Sequence, residues 1–438
     1  MSFKDVTIDL KNSNKEVKRF VAIYGENGSG KSNFVMSIDL LRRTIDSFNM
    51  AVNFEKLQQL IEKEDVPQKI TEMLLNNFNV LKHIDRVRMI DSEEDTTVEY
   101  GFRIGGHDGY YRLVFGERFS YEKLYYFTGK QRGTLFEIEK VHDDIEVIFS
   151  NKLFLNNKLE EEIRGEVNKY WSKHTFLGIL QNERKNKNES YIKHGFSPYV
   201  FEVLDMFNDI SVHCKKTPHS GSGIHTSKPE NVLQNLAEGK VKDIREAELD
   251  LSERILKSFF TQAYADIKDI YYEKSYKGDN IKYKLFVEKM IGGKIRTVDF
   301  TRESAGTQHI LEIIRSLLGA FCGITVVYDE IDNGIHDILL KNILLSMLEE
   351  ITGQLIITTH NTFMLEAIDV KSVYVINVDY LGNKEVKCIN KYPRIQDTNN
   401  PRNMYLKGLF GGVPIVDIID YDEIIETLQD GTSATGVE

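Results

Sequence analysis

Residues Gly25–Ser32 read G-E-N-G-S-G-K-S, which meets the pattern G-x-x-x-x-G-K-[ST] at every fixed position. Each residue type there answers a need of phosphate chemistry. Gly28 and Gly30 let backbone N–H groups curl around an anion with no Cβ in the way. Lys31 brings a point charge to β- and γ-phosphates, and Ser32 offers a hydroxyl to Mg²⁺. Asn27, Ser29 and Asn33 complete the loop and the first turn behind it. The bland alternative is a glycine-rich turn with no ligand. The flanking pattern disfavours it, because an apolar strand-like run (FVAIY, 20–24) precedes the loop and a helical stripe follows.

A second constellation lies at Ile324–Glu330, I-T-V-V-Y-D-E. An apolar run that ends in two carboxylates places them at the C-terminal edge of a buried strand, where open α/β sheets bind ligands. Asp329 is expected to hold Mg²⁺, and Glu330 to polarise an attacking water. A strand that merely ends in a solvated Asp-Glu pair is the competing reading, and the phosphate loop in the same chain weighs against it.

Three further segments are placed in a telling order. Glu303–Gln308 reads E-S-A-G-T-Q ahead of a strongly apolar helix, so Ser304, Gly306 and the helix N-terminus form a second candidate anion site. An ordinary N-cap serine would look the same. Asp332 follows the Asp-Glu pair in I-D-N-G-I-H, and His360 ends the run L-I-I-T-T-H.

The elements that must position these residues are legible in outline. A helix is expected from about residue 33 to 48. The polar stretch 50–92 reads as helical, and period-two alternation from Val98 predicts an antiparallel β section to Phe149. Residues 155–210 turn helical and mildly basic, and a long amphipathic helix is expected from about Val241 to Tyr272, with Ile244, Leu251, Ile255 and Phe259 on its stripe. A hairpin turning at Gly292–Gly293 follows, and then strands alternate with helices as in a parallel sheet. The fold class is therefore α/β, a P-loop nucleotide-binding head with an antiparallel β section and an inserted, mostly helical region. The expected divisions are 1–150 (first lobe), 151–280 (helical insertion), 281–416 (second lobe) and 417–438 (acidic tail).

Composition narrows the class. With 438 residues and 41% hydrophobic content the chain can build a large core. A net charge of −11 disfavours general attraction to DNA or anionic lipid. Cys214, Cys322 and Cys388 form no C-x-x-C pair, so a reducing cytoplasm is expected and a zinc site is not. No apolar run is long enough to span a membrane, and the first 20 residues lack a signal-peptide core.

Taken together, GENGSGKSN, ESAGTQ, VVYDEIDNGIH, TTH and the late N-M-Y-L-K-G-L-F-G-G-V-P (Asn403–Pro414) resemble compact RecF-, SMC- and OLD-like ABC-type ATPases of bacterial abortive-infection and phage-defence loci. The resemblance implies ATP and Mg²⁺ as ligands and two copies closing on two ATP molecules. Ser304 and Gly306 would cap the γ-phosphate held by the partner copy, Asp332 would cross the interface, and His360 would hydrogen-bond the γ-phosphate. Gln58 and Gln59 are the candidates for the Q-loop glutamine of that group. Lys31 and Ser304 lie 273 residues apart, unlike the short spacing of transporter subunits. Only 78 residues follow His360, too few for the nuclease domain that OLD proteins carry, so an effector such as a nuclease should be a separate protein. Three readings follow: a defence-system ATPase that controls that effector; a DNA-repair or DNA-end-binding ATPase touching phosphates through Arg184, Lys185, Lys187 and Lys193; and a scaffold that nucleotide only glues.

Overall fold

The computed structural model describes residues 6, 8–11, 16–51, 80–88, 92–128, 131–214, 223–225, 232–393, 400–414 and 419–433. Strand β1 (Phe20–Gly25) leads into helix α1 (Lys31–Ile45), and α2 (Val80–Val87) follows. Five strands then run as a meander: β2 (Thr96–Ile104), β3 (His107–Phe115), β4 (Phe119–Thr128), β5 (Gln131–Val141) and β6 (Asp144–Phe149). Helices α3 (Asn157–Tyr170), α4 (Phe176–Asn186), α5 (Glu189–Gly195) and α6 (Pro198–Asn208) come next. After them come β7 (Ile210–Cys214), β8 (Gly223–His225), β9 (Glu238–Lys242), α7 (Glu246–Ala263), β10 (Ile267–Lys277), β11 (Asn280–Ile291) and β12 (Lys294–Asp299). The final stretch holds α8 (Ala305–Phe321), β13 (Thr325–Tyr328), α9 (Asp337–Met347), β14 (Gln354–Thr358), β15 (Val373–Val378), β16 (Lys384–Cys388), α10 (Pro401–Leu406) and α11 (Tyr421–Ser433).

The central sheet has the order β16-β15-β1-β14-β13-β7-β8, parallel from β15 to β7 with an antiparallel strand at each edge. Its strands are near-continuous apolar runs because both faces are covered. Along β1, Val21 and Ile23 face one core with α1, α3, α4, α6 and the meander. Phe20, Ala22 and Tyr24 face the other, with α7, α8, α9 and the third sheet. In that third sheet β11 pairs with β10 along one side and with β9 and then β12 along the other.

Most expected elements are present, including the meander, the Gly292–Gly293 hairpin and the alternating strands and helices after residue 302. The long helix expected over 241–272 is a correction. Residues 238–242 pair as β9 with β11, the helix runs only from Glu246 to Ala263, and 267–277 form β10. The buried face of α7 is Leu249, Ser252, Leu256 and Phe260, one residue off the expected stripe, and Ile244 is exposed. Strand pairing to β11 outcompetes helix propagation at both ends, a long-range effect that local periodicity does not register. Within 151–280, helices occupy the first part, and β7 joins the central sheet beside β13. Most of 50–92, with Gln58 and Gln59, lies outside the described residues. Among the described residues no helix is long and apolar enough to cross a membrane.

Buried Glu122 ties the meander to the helices. Its carboxylate accepts hydrogen bonds from Tyr111 Oη (2.8 Å), Trp171 Nε1 (2.8 Å), Phe176 N (2.6 Å) and Leu177 N (3.2 Å), so it caps the N-terminus of α4.

Candidate functional site

The phosphate-binding segment sits at the C-terminal end of β1. Gly28 (φ 84°) and Gly30 (φ 106°) occupy left-handed backbone conformations that a side chain would strain. Gly30 is the N-cap of α1 without a side-chain cap, and the first intrahelical bond runs from Phe34 N to Gly30 O (3.1 Å). The amides of residues 31–33 therefore point out of the helix end, which has no acidic residue in its first turn, a setting that suits an anion. Lys31 is buried and donates from Nζ to Gly25 O (2.8 Å) and Glu26 O (3.0 Å). Ser32 is buried beside it, while Asn27 and Gly28 are exposed at the tip. Ser29 is fully buried, and its Oγ has no hydrogen-bond partner.

Two strands away stand the carboxylates, with β14 between β1 and β13. Asp329 is fully buried, and its N–H donates to His213 O of β7 (2.9 Å). Its Oδ1 accepts from Thr358 Oγ1 (2.6 Å), and its Oδ2 from the Cys214 thiol (3.7 Å). Thr358 also holds the next residue, because Glu330 N donates to Thr358 Oγ1 (2.8 Å). Glu330 is one of few non-glycine residues with positive φ, at 51°. Such a conformation costs about 1–2 kcal/mol and persists only where neighbours hold it. Ile331 N donates to Thr358 O (3.2 Å) and Thr359 N to Ile23 O (3.2 Å), so the ends of β1, β13 and β14 are locked to one another.

His360 follows directly on β14. Its backbone N–H donates to Asp332 Oδ2 (2.9 Å), while Asp332 Oδ1 is buried with no hydrogen-bond partner. Partial burial first, and the Lys31 ammonium second, lower the imidazole pKa, against the opposing charges of Asp332, Glu330 and Asp329. The ring is thus neutral at neutral pH. The same interactions mark Lys31, Asp329, Glu330, Asp332 and His360 as one electrostatic unit. Its hard oxygen donors, Ser32 and Asp329, suit Mg²⁺ in type and charge.

Ser304 and Gly306 lie at the N-terminus of α8. Ser304 Oγ caps α8 by accepting from Thr307 N (3.2 Å) and shares a hydrogen bond with Thr307 Oγ1 (2.8 Å). Gly306 lies against the loop after Asp332, where a Cβ would stand 2.2 Å from Gly334 O. Helix α8 packs in the core on the opposite face of the central sheet from α1.

The structure adds residues that the sequence left without a role. Thr358 is the hydrogen-bond pivot between the Asp329 carboxylate and the Glu330 amide, signalled only by its place in TTH. The late segment 403–414 buttresses the phosphate loop. Tyr405 packs edge-on against Tyr24 at 5.6 Å between centroids, its Oη donates to Gly412 O (2.8 Å), and a Cβ at Gly412 would come within 3.3 Å of Gly25 Cα. Lys384 Nζ donates to Gly28 O at the loop tip (3.1 Å). The basic stretch is largely neutralised within the chain. Arg184 pairs with Asp205, Lys185 with Asp46 (2.9 Å) and Lys193 with Glu189 (2.6 Å), while Lys187 lies over the Tyr191 ring.

A twisted parallel sheet with a glycine-rich loop feeding a helix, and a carboxylate-ended strand two places away, defines a P-loop nucleotide-binding ATPase fold. Residues 20–366 match the family described as "AAA domain, putative AbiEii toxin, Type IV TA system", and the chain belongs to that family. That match agrees with the P-loop ATPase group that the motifs resemble. Among solved structures the chain is similar to an SMC head bound to the C-winged helix domain of ScpA, at 13% identity and TM-score 0.38, covering 84% of this chain and 90% of that one. It is also similar to a Pyrococcus furiosus SMC head with an extended coiled coil, bound to the C-terminal domain of ScpA, at 12% identity and TM-score 0.35, covering 85% and 90%. No curated protein matches the sequence.

Proposed function

We propose that this chain binds and hydrolyses ATP in sites shared between two copies, as the ATPase subunit of a bacterial anti-phage system of the abortive-infection type that controls a separate effector such as a nuclease. The observation that carries the reading is the convergence of Lys31, Asp329, Glu330 and His360 at the ends of three interlocked strands, with Glu330 held at φ 51° by Thr358. In this reading the loop from Asn27 to Asn33 wraps the phosphates with its amides, and Lys31 turns from loop carbonyls to the β- and γ-oxygens. Ser32 and Asp329 hold Mg²⁺, which when bound neutralises charge on the transferred phosphoryl group. Glu330 orients the attacking water as base, and neutral His360 donates to the γ-phosphate.

The partner copy's Ser304 and Gly306 cap the γ-phosphate, and Asp332 lines the interface. Two features support a shared site: α8 lies across the sheet from α1, and the buried Asp332 Oδ1 lacks a partner. The family's description as a putative toxin of a toxin–antitoxin system supports the defence setting. The test is Glu330→Gln in the full chain. It is expected to abolish phosphate release and to trap an ATP-dependent dimer on sizing, and affinity capture of that dimer from the host should recover the effector. Wild-type protein that releases no phosphate and stays monomeric with ATP would sink the reading.

A further inference from the structure

The turn between β15 and β16 shows solvent two large apolar side chains, Tyr380 (95% exposed) and Leu381 (69% exposed). Single exposed apolar residues are ordinary on a protein surface, so what calls for an account is the backbone that carries these two. Asp379 Oδ1 accepts from Leu381 N (2.9 Å) and Asn383 N (2.8 Å), and its Oδ2 accepts from Asn383 Nδ2 (2.9 Å). Asp379 N donates to Asn383 O (2.9 Å), Gly382 N donates to Asp379 O (3.0 Å), and Gly382 takes a left-handed φ of 80°. The turn is thus knit from within, and an aromatic ring on it has little backbone entropy left to lose when something packs on it.

Strand register sets where this turn stands. β15 runs parallel to β1 with Ile376 level with Gly25, so β15 continues through Asn377 and Val378 where β1 has already given way to the phosphate loop. The turn therefore lies beyond the same edge of the sheet as the loop. Lys384 Nζ, which donates to Gly28 O (3.1 Å), ties the hairpin to the loop tip.

Strand order says which part of a nucleotide lies on that side. β15 flanks β1 on one side, while β14 and β13, which lead into His360 and the Asp329–Glu330 pair, lie on the other. A triphosphate whose γ end meets Glu330 and His360 crosses the loop with its α end toward β15. The nucleoside then leaves the loop on the side of the 379–383 turn.

We propose that Tyr380 is the platform on which the base of the bound nucleotide stacks, with Leu381 extending the apolar surface; this deepens the ATP-binding reading above and rests on it. A base has an apolar π-face that aromatic side chains cover, and a rigidly carried tyrosine offers such a face at low entropic cost. The ring carries the contact and the hydroxyl does not.

The test measures ADP and inorganic pyrophosphate binding to the full chain with Mg²⁺ by calorimetry, since neither ligand turns over. Tyr380→Ala should weaken ADP roughly tenfold and leave pyrophosphate unchanged, and Tyr380→Phe should bind ADP like wild type. In turnover, Tyr380→Ala should raise KM for ATP with little change in kcat, because the base contact is the same before and during phosphoryl transfer. Tyr380→Trp adds a second tryptophan to buried Trp171, and its fluorescence should change with ADP but not with pyrophosphate. Wild-type ADP affinity in Tyr380→Ala would overturn the proposal. So would an equal loss of ADP and pyrophosphate, which would make Tyr380 a support of the loop. Failure of the wild-type chain to bind either ligand would instead bring down the ATP-binding reading, and the platform with it.

Discussion

Thr358→Val removes one hydroxyl and nothing else of consequence in volume, yet that hydroxyl has two jobs. It donates to Asp329 Oδ1 at 2.6 Å and accepts from Glu330 N at 2.8 Å, all within the closed ends of β13 and β14. Valine leaves a buried carboxylate oxygen and a backbone N–H without these partners. Each orphan costs about 1–3 kcal/mol, so the fold should lose about 2–6 kcal/mol. The functional loss is separate. Glu330 at φ 51° relaxes once its amide is released, and a carboxylate displaced by about 1 Å costs on the order of a hundredfold in rate. Thr358→Ser keeps both hydrogen bonds and should retain most activity. Urea unfolding gives the stability change, and phosphate release at saturating ATP gives the rate for whatever fraction is folded. A Thr358→Val protein as stable and as fast as wild type would refute the idea that this hydroxyl holds the catalytic carboxylates. Loss of stability with an unchanged rate would confine Thr358 to a structural role.

Two further expectations follow, one from a buried group and one from a close backbone approach. Burial lifts the Glu122 carboxyl from its usual range to about 7, although its four donors pull the other way. Because the folded pKa lies above the unfolded one, its contribution is full below about pH 4.5 and is lost as pH rises through 7, about 3 kcal/mol in all. Glu122→Gln should flatten that part of the pH dependence, read by denaturant unfolding from pH 4.5 to 8, and an identical slope would refute the assignment. Gly306→Ala would drive a Cβ to 2.2 Å from Gly334 O and displace the loop after Asp332. Phosphate release should fall at least about tenfold while a single copy's affinity for a fluorescent ATP analogue holds, because the phosphate loop is untouched. A parallel loss of affinity would contradict the separation of the two sites within one chain.

Much of the site was legible because its chemistry is local in sequence. The phosphate loop needs glycines, a lysine and a hydroxyl within eight residues, and Asp329 and Glu330 announce themselves by ending an apolar run. The period-two alternation of 98–149 likewise gave the meander, since a strand with one wet face writes its pattern directly into hydrophobicity. The helix expected over 241–272 failed for the converse reason: β9 and β10 exist only because β11, many residues later, pairs with both.

What the sequence determined by itself, then, is the set of groups and their order along the chain, together with the elements whose burial pattern is periodic. What only the tertiary structure decided is which groups meet. It placed β14 between β1 and β13, so that Thr358 reaches the Asp329 carboxylate and the Glu330 amide and His360 feels Lys31. It set α8 across the sheet from α1, and it folded 403–414 back on Gly25. The physical reason is that hydrogen bonds and charges act over a few ångströms while these residues are separated by tens to hundreds of positions. Strand order, which no local pattern encodes, converts one distance into the other.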